Sequence, residues 1–148
     1  MSFLAADPID PIALLETFTR GTAGAGAIVS FTGVVRGGDR VSELWLDHHP
    51  QLSEASIAVI DADMRRRFAL DDLLIVHRIG GVGAGEPVVF VAAAAKHRRA
   101  AFEAVDQAMD RLKTDAILWK RETSEMGSRW IEALPQDHAD RARWEEQT

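Results

Sequence analysis

Apolar positions along the chain alternate between helical and extended spacing, and the changes of period divide it into elements. Asp10 followed by Pro11 reads as an N-cap and first helical residue, and Ile12, Leu15 and Phe18 supply a helical stripe that ends before Gly21. Ala25 to Val35 and Val41 to His49 are rich in β-branched and aromatic residues and read as two strands, the second halted by Pro50. Between them Arg36-Gly37-Gly38-Asp39-Arg40 has the composition of a loop with Arg36 at its hinge. Ser53 is placed to cap a second helix running to about Phe68, with Ile57, Ile60, Met64 and Phe68 inward and Arg65, Arg66 and Arg67 outward. Leu73 to Ile79 and Pro87 to Ala94 are strand-like and flank a glycine-rich joint from Gly80 to Gly85. No Gly-Lys-Ser/Thr follows that joint, and the next element reads as a strand, so it is a strand connection rather than a phosphate loop. A third helix from about His97 to Asp115 precedes a strand from Ala116 to Glu122, a turn near Gly127 and a short strand around Trp130.

These elements describe a single α+β domain, a mostly antiparallel sheet with two long helices and a short N-terminal helix. The domain occupies residues 1–134, and residues 135–148 form a polar C-terminal tail, docked loosely or frayed, whose one large apolar residue is Trp144. A chain of 148 residues is long enough to bury about 70% of the surface its unfolded form exposes. No apolar run approaches the roughly 20 residues of a membrane span, and no secretory signal opens the chain, so a cytoplasmic location is expected.

Two features of composition narrow the chemistry. There is no cysteine, which removes disulfides, thiolate metal ligands, a cysteine nucleophile and a protein-bound persulfide. The formal net charge is −6, which disfavours nucleic acid as a partner, yet residues 96 to 129 carry +2 and leave −8 for the remainder.

That basic segment holds the candidate residues. Phe102, Val105, Met109 and Leu112 form the expected buried stripe of the third helix. At about 100° per residue, Arg98 lies about 40° to one side of Phe102 and Lys113 about 20° to the other, so both are expected on the core side. A lysine on an apolar face snorkels, pairs with an anion or loses its proton, which makes Lys113 a candidate base or nucleophile. The alternative is a helix-end lysine favoured by the helix dipole. Lys120 interrupts the apolar face of Ala116 and Leu118, either as a second functional amine or as a charged guard on a sheet edge. His97 and Arg98 open the third helix, where free N–H groups, the dipole and a guanidinium suit an anion such as phosphate; the alternative is ordinary surface charge. His48 and His49 face opposite ways on a strand and complete no metal set.

Phe31-Thr-Gly-Val-Val-Arg36, Lys96-His97-Arg98, Leu112-Lys113-Thr114 and Trp119-Lys120-Arg121-Glu122 stand in an order and spacing that resemble the molybdopterin synthase catalytic (large) subunit family, also called the MoaE family. An Ile-Gly-x-x-x-x-Gly-Glu segment starting at Ile79 and a closing Arg129-Trp130 extend the resemblance to roughly Gly24 to Glu132. The resemblance implies an α/β hammerhead fold and a sulfurtransferase that converts cyclic pyranopterin monophosphate to molybdopterin. It implies that the sulfur comes from the C-terminal Gly-Gly thiocarboxylate of a small ubiquitin-like partner of the MoaD type, in a heterotetramer built on a homodimer, with no metal or organic cofactor. On this basis Lys113 and Lys120 are the catalytic residues, and Val34, Val35, Arg36, His97, Arg98, Met109, Arg121 and Glu122 are substrate-binding. Val34 stands where many members carry a lysine, which removes one substrate contact. The alternative function is a non-catalytic pterin-binding or scaffold homologue of the same fold.

Overall fold

The computed structural model describes residues 1–38 and 41–145, so Asp39 and Arg40 of the expected loop lie outside the described residues. In chain order the elements are β1 (Ser2–Ala5), α1 (Pro11–Gly21), β2 (Ala27–Val34), β3 (Val41–His48), α2 (Pro50–Arg67), β4 (Asp72–Arg78), β5 (Gly80–Gly83), β6 (Pro87–Ala95), α3 (Arg98–Thr114), β7 (Leu118–Ser124), β8 (Gly127–Ile131) and α4 (Pro135–Ala142). The class is α+β as expected, but the strands divide into two four-stranded sheets ordered β1-β4-β6-β2 and β5-β3-β7-β8. Every pairing is antiparallel except β1 with β4.

Strands β4 and β6 read as continuous apolar runs because both faces of the first sheet are covered. Phe18 of α1 packs with Val76, Phe90 and Ala92 on one face. On the other, Ile57 and Met64 of α2 and Ala104 and Leu112 of α3 enclose Leu73, Ile75 and Val91. Strand β1 has no counterpart in the sequence reading, since four residues are too few to show a period. It pairs in parallel with β4, and beside it the Met1 ammonium donates to the Leu73 carbonyl at 2.7 Å and pairs with Asp61 at 3.1 Å.

The helices differ from expectation in register. Asp10 caps α1 as foreseen, accepting from the Ile12 and Ala13 N–H groups at 3.0 and 3.2 Å, but Ile12 faces solvent while Leu14, Leu15 and Phe18 turn inward. Helix α2 begins three residues before Ser53. His49 is the cap, its Nδ1 accepting from the Leu52 N–H at 3.2 Å, and Pro50 occupies the first turn, where a missing N–H costs nothing. Ser53 is buried inside the helix, where its Oγ accepts from the His49 N–H at 2.9 Å and donates to the Ile117 carbonyl. The arginine run has structural partners: Arg65 pairs with Asp61 and Asp72, and Arg67 donates to the Trp144 carbonyl at 2.8 Å.

Within the segment read as a polar tail, Pro135–Ala142 fold as α4, which packs against α3, and residues 146–148 lie outside the described residues. Trp144 is only 5% exposed and its Nε1 donates to Asp110 at 2.6 Å, while Arg143 bridges Asp106 and Asp110 at 2.7 and 3.1 Å. Among the described residues, no helix is long and apolar enough to cross a membrane.

Candidate active site

Helix α3 sets the first half of the site, and its phase differs from the sequence reading. Ala101, Ala104, Val105, Ala108 and Leu112 form the buried face, whereas Phe102 is 59% exposed. Small alanines let the helix settle closely on the sheet, so the close-packed face is marked by small side chains and not by the largest apolar ones. Arg98 and Lys113 are consequently exposed, and Met109 is half-buried on the same flank. The expectation that Lys113 points into the core is corrected: it stands at the open end of the helix.

Strand β7 sets the second half. Lys120 stands in register with Leu46 of β3 on one side and Ile131 of β8 on the other. Leu46 is fully buried, so this face of the second sheet points inward and carries Lys120 with it. Burial first and the nearby Lys113 charge second push the Lys120 ammonium down to about 8, with Asp137 of α4 opposing the change. The desolvated lysine is therefore the strand lysine. The two meet in a cavity of about 490 Å³, whose lining includes Lys113, Lys120, Trp119, Trp130 and His138. His77, buried beneath, feels both lysines; burial foremost holds it down at about 4, so it is neutral at pH 7. Its Nδ1 lies 2.8 Å from the Arg78 carbonyl, which assigns the ring proton to Nδ1. Sequence reading did not single out His77, although it interrupts the apolar run from Leu73 to Ile79, or His138, which interrupts no pattern.

The other expected residues lie elsewhere. Arg36, Glu122 and Arg129 line a separate hollow of about 450 Å³, and Glu122 is engaged by Arg129 at 3.1 Å. His97 and Arg98 line a third, of about 440 Å³, with Gly26, Lys96 and Arg99. Gly26 permits this corner, since a Cβ there would run into the Lys96 carbonyl oxygen. His97 caps α3 by position but makes no side-chain cap hydrogen bond. Arg121 points away from Lys120, as strand alternation requires, and its guanidinium lies over the rings of Trp45 and Trp130 at 6.0 and 5.7 Å. Val34 is exposed, while Val35 is buried with Leu46 and Val82. Among the described residues, no group of three or more His, Cys, Asp or Glu is placed to hold a metal, and His49 serves as a helix cap.

A desolvated lysine thus stands beside an exposed one in a cavity of an α+β domain whose sequence contains no cysteine. Residues 4–115 match the MoaE protein family. A molybdopterin synthase catalytic subunit from Cereibacter sphaeroides is 42% identical over 140 residues, covering 94% of this chain and 96% of that one. The solved structure of the molybdopterin biosynthesis MoaE protein from Burkholderia ambifaria superposes with a TM-score of 0.83 at 35% identity, covering 97% of each chain. A protein from Helicobacter pylori, solved as a complex of subunits 1 and 2 of molybdopterin-converting factor, shares the fold with a TM-score of 0.75 at 20% identity over 91% of each chain. The chain belongs to the MoaE protein family.

Proposed function

We propose that this chain is the catalytic subunit of a molybdopterin synthase, converting cyclic pyranopterin monophosphate, precursor Z, to molybdopterin in molybdenum cofactor biosynthesis. The sulfur is delivered by the C-terminal Gly-Gly thiocarboxylate of a small ubiquitin-like subunit of the MoaD type, in the cytoplasm. The observation that carries this reading is the Lys113 and Lys120 pair in one cavity of a chain without cysteine: the amines are present and the sulfur has to be brought. Two cations at the cavity suit an anionic tail terminus and stabilise the charge that develops as its sulfur attacks the pterin. A terminal Gly-Gly threads as an extended peptide where larger side chains do not fit.

The substrate's phosphate belongs with Arg36, His97 and Arg98, and this makes the working unit a homodimer. Arg98 and Lys113 are fifteen residues apart on one helix, so at about 1.5 Å per residue their Cα atoms stand about 22 Å apart. One small pterin does not reach both. The flank carrying Arg98, Phe102, Met109 and Lys113 faces outward, as an element shared between two copies requires. With a small subunit at each of two sites, the assembly is a heterotetramer.

Reconstitution tests the reading. The purified chain, a thiocarboxylated small subunit and precursor Z should yield the dithiolene product; none under conditions where a known synthase is active would make the chain a scaffold. Arg98→Ala and Lys113→Ala, each inactive alone, should regain activity when refolded together. No rescue in confirmed mixed dimers would place each site within one chain.

A further inference from the structure

The glycine-rich joint between β4 and β6 has no part in the site as described, yet it grips both ends of the segment that carries Arg36. At the leading end, Val35 donates its N–H to the Glu86 carbonyl at 3.0 Å, and its own carbonyl accepts from the Gly85 N–H at 2.8 Å. Two residues on, the backbone passes hard against the joint, for a Cβ on Gly37 would stand 3.0 Å from that of Ala84. At the trailing end, the Ala84 N–H donates to the Ser42 carbonyl at 3.1 Å. The joint closes on itself through the Glu86 N–H and the Gly83 carbonyl at 3.1 Å, with Gly85 at φ +85°.

Arg78 anchors the joint from below. It is 4% exposed, and its Nη2 donates to the Gly81 carbonyl at 3.0 Å and the Ala6 carbonyl at 3.3 Å. Its Nη1 stands 3.8 Å from the carboxylate of Glu86, the one acidic group paired with it among the described residues. Nε and Nη1 have no hydrogen-bond partner. A guanidinium held out of water with two nitrogens unbonded is unfavourable, and an apolar residue would fill its volume at less cost. What it does that an apolar residue does not is bind the Gly81 and Ala6 carbonyls and stand beside the Glu86 carboxylate, so that it holds the joint at both Gly81 and Glu86.

We propose that Arg78 and Glu86 are positioning residues for Arg36: the buried cation holds the Gly83–Glu86 turn by charge, and the turn holds Val35 and Ser42, so the Arg36 guanidinium is presented to the substrate in a fixed place. This rests on the reading of Arg36 as a substrate-binding residue. Arg36 itself is exposed and has no hydrogen bond or ion pair with the described residues, so its backbone is what locates it.

The test is Glu86→Gln in the reconstituted synthase, a change at a residue 51% exposed that opens no core cavity. The amides of Val35, Ala84 and Gly85 should exchange about tenfold faster while those of Ile75 and Val91 in the first sheet do not change. KM for the pterin should rise about three- to tenfold with kcat held within about twofold, and Glu86→Asp should recover most of the loss. In an Arg36→Ala background Glu86→Gln should add nothing to KM, as expected of two residues acting through one contact. The inference is overturned if KM is unchanged by Glu86→Gln, if the KM factor is the same in both backgrounds, or if the sheet amides accelerate equally. Arg36→Ala with an unaltered KM would instead remove the reading of Arg36, a distinguishable outcome.

Discussion

Lys120 is the residue whose ionisation is tied most closely to its surroundings. Its amine is held at about 8 by burial first and by Lys113 second. Activity that requires the free amine should rise with pH along a limb centred near 8. Removing the neighbouring charge with Lys113→Met should move the Lys120 titration upward, measurable by NMR of a labelled lysine even where turnover is lost; an unmoved titration would mean the two amines do not sense each other. Because the folded protein holds this lysine's proton more weakly than the unfolded chain, charge burial at neutral pH opposes folding. Lys120→Met should therefore raise Tm by a few degrees at pH 7 while lowering kcat by about 10²-fold or more. His77 works in the acid direction. Its folded value of about 4 lies below the unfolded 6.5, so the stability it contributes is complete above pH 6.5 and is lost as pH falls through about 4. Urea midpoints measured across that window should fall less steeply for His77→Phe than for the parent.

At the scale of elements, α3 and α4 divide the legible from the illegible. Arg98 and Lys113 were singled out for a conflict with an apolar stripe that the structure does not hold, since both are exposed, while the extent of α3 was readable from its period. Its rotation was not, because the stripe was drawn through Phe102 while the packed face runs through Ala101, Ala104 and Ala108, which hydrophobicity alone marks weakly. Lys120 was legible for the opposite reason: a strand has a period of two, and once Leu118 is inward no rotation is left to mistake. Helix α4 was hidden by its composition, since its docking is ionic and needs the acidic positions Asp106, Asp110 and Asp115 of a distant element to be seen together. That docking brings His138 to the lining of the lysine cavity. Trp144→Ala should cost about 3 kcal/mol, as truncation of a buried aromatic does, read from the urea midpoint. A change below about 0.5 kcal/mol would mean that the helix is held by its arginines alone.

At the scale of the molecule, two sheets share the work: the first is a scaffold covered on both faces by helices, and the second carries Lys120 on its inward face and Arg121 on the opposite one. The sequence showed strands but not their division, because partner choice between strands distant in the chain leaves no local period. The distribution of the aromatic residues has an optical consequence. The chain has four tryptophans and no tyrosine, so its ultraviolet emission comes from indole alone. Trp144, just past α4, is enclosed against Phe68 and Asp110, whereas Trp119 and Trp130 stand open on the lining of the lysine cavity. With the fourth, half-buried Trp45 replaced by Phe, emission should separate into a blue, quencher-resistant component that reports whether the C-terminus is seated and a red, iodide-accessible component that reports whether the cavity is filled. Titrating an unlabelled small subunit should protect the second and leave the first unchanged, giving a readout of tail entry that requires neither substrate nor turnover.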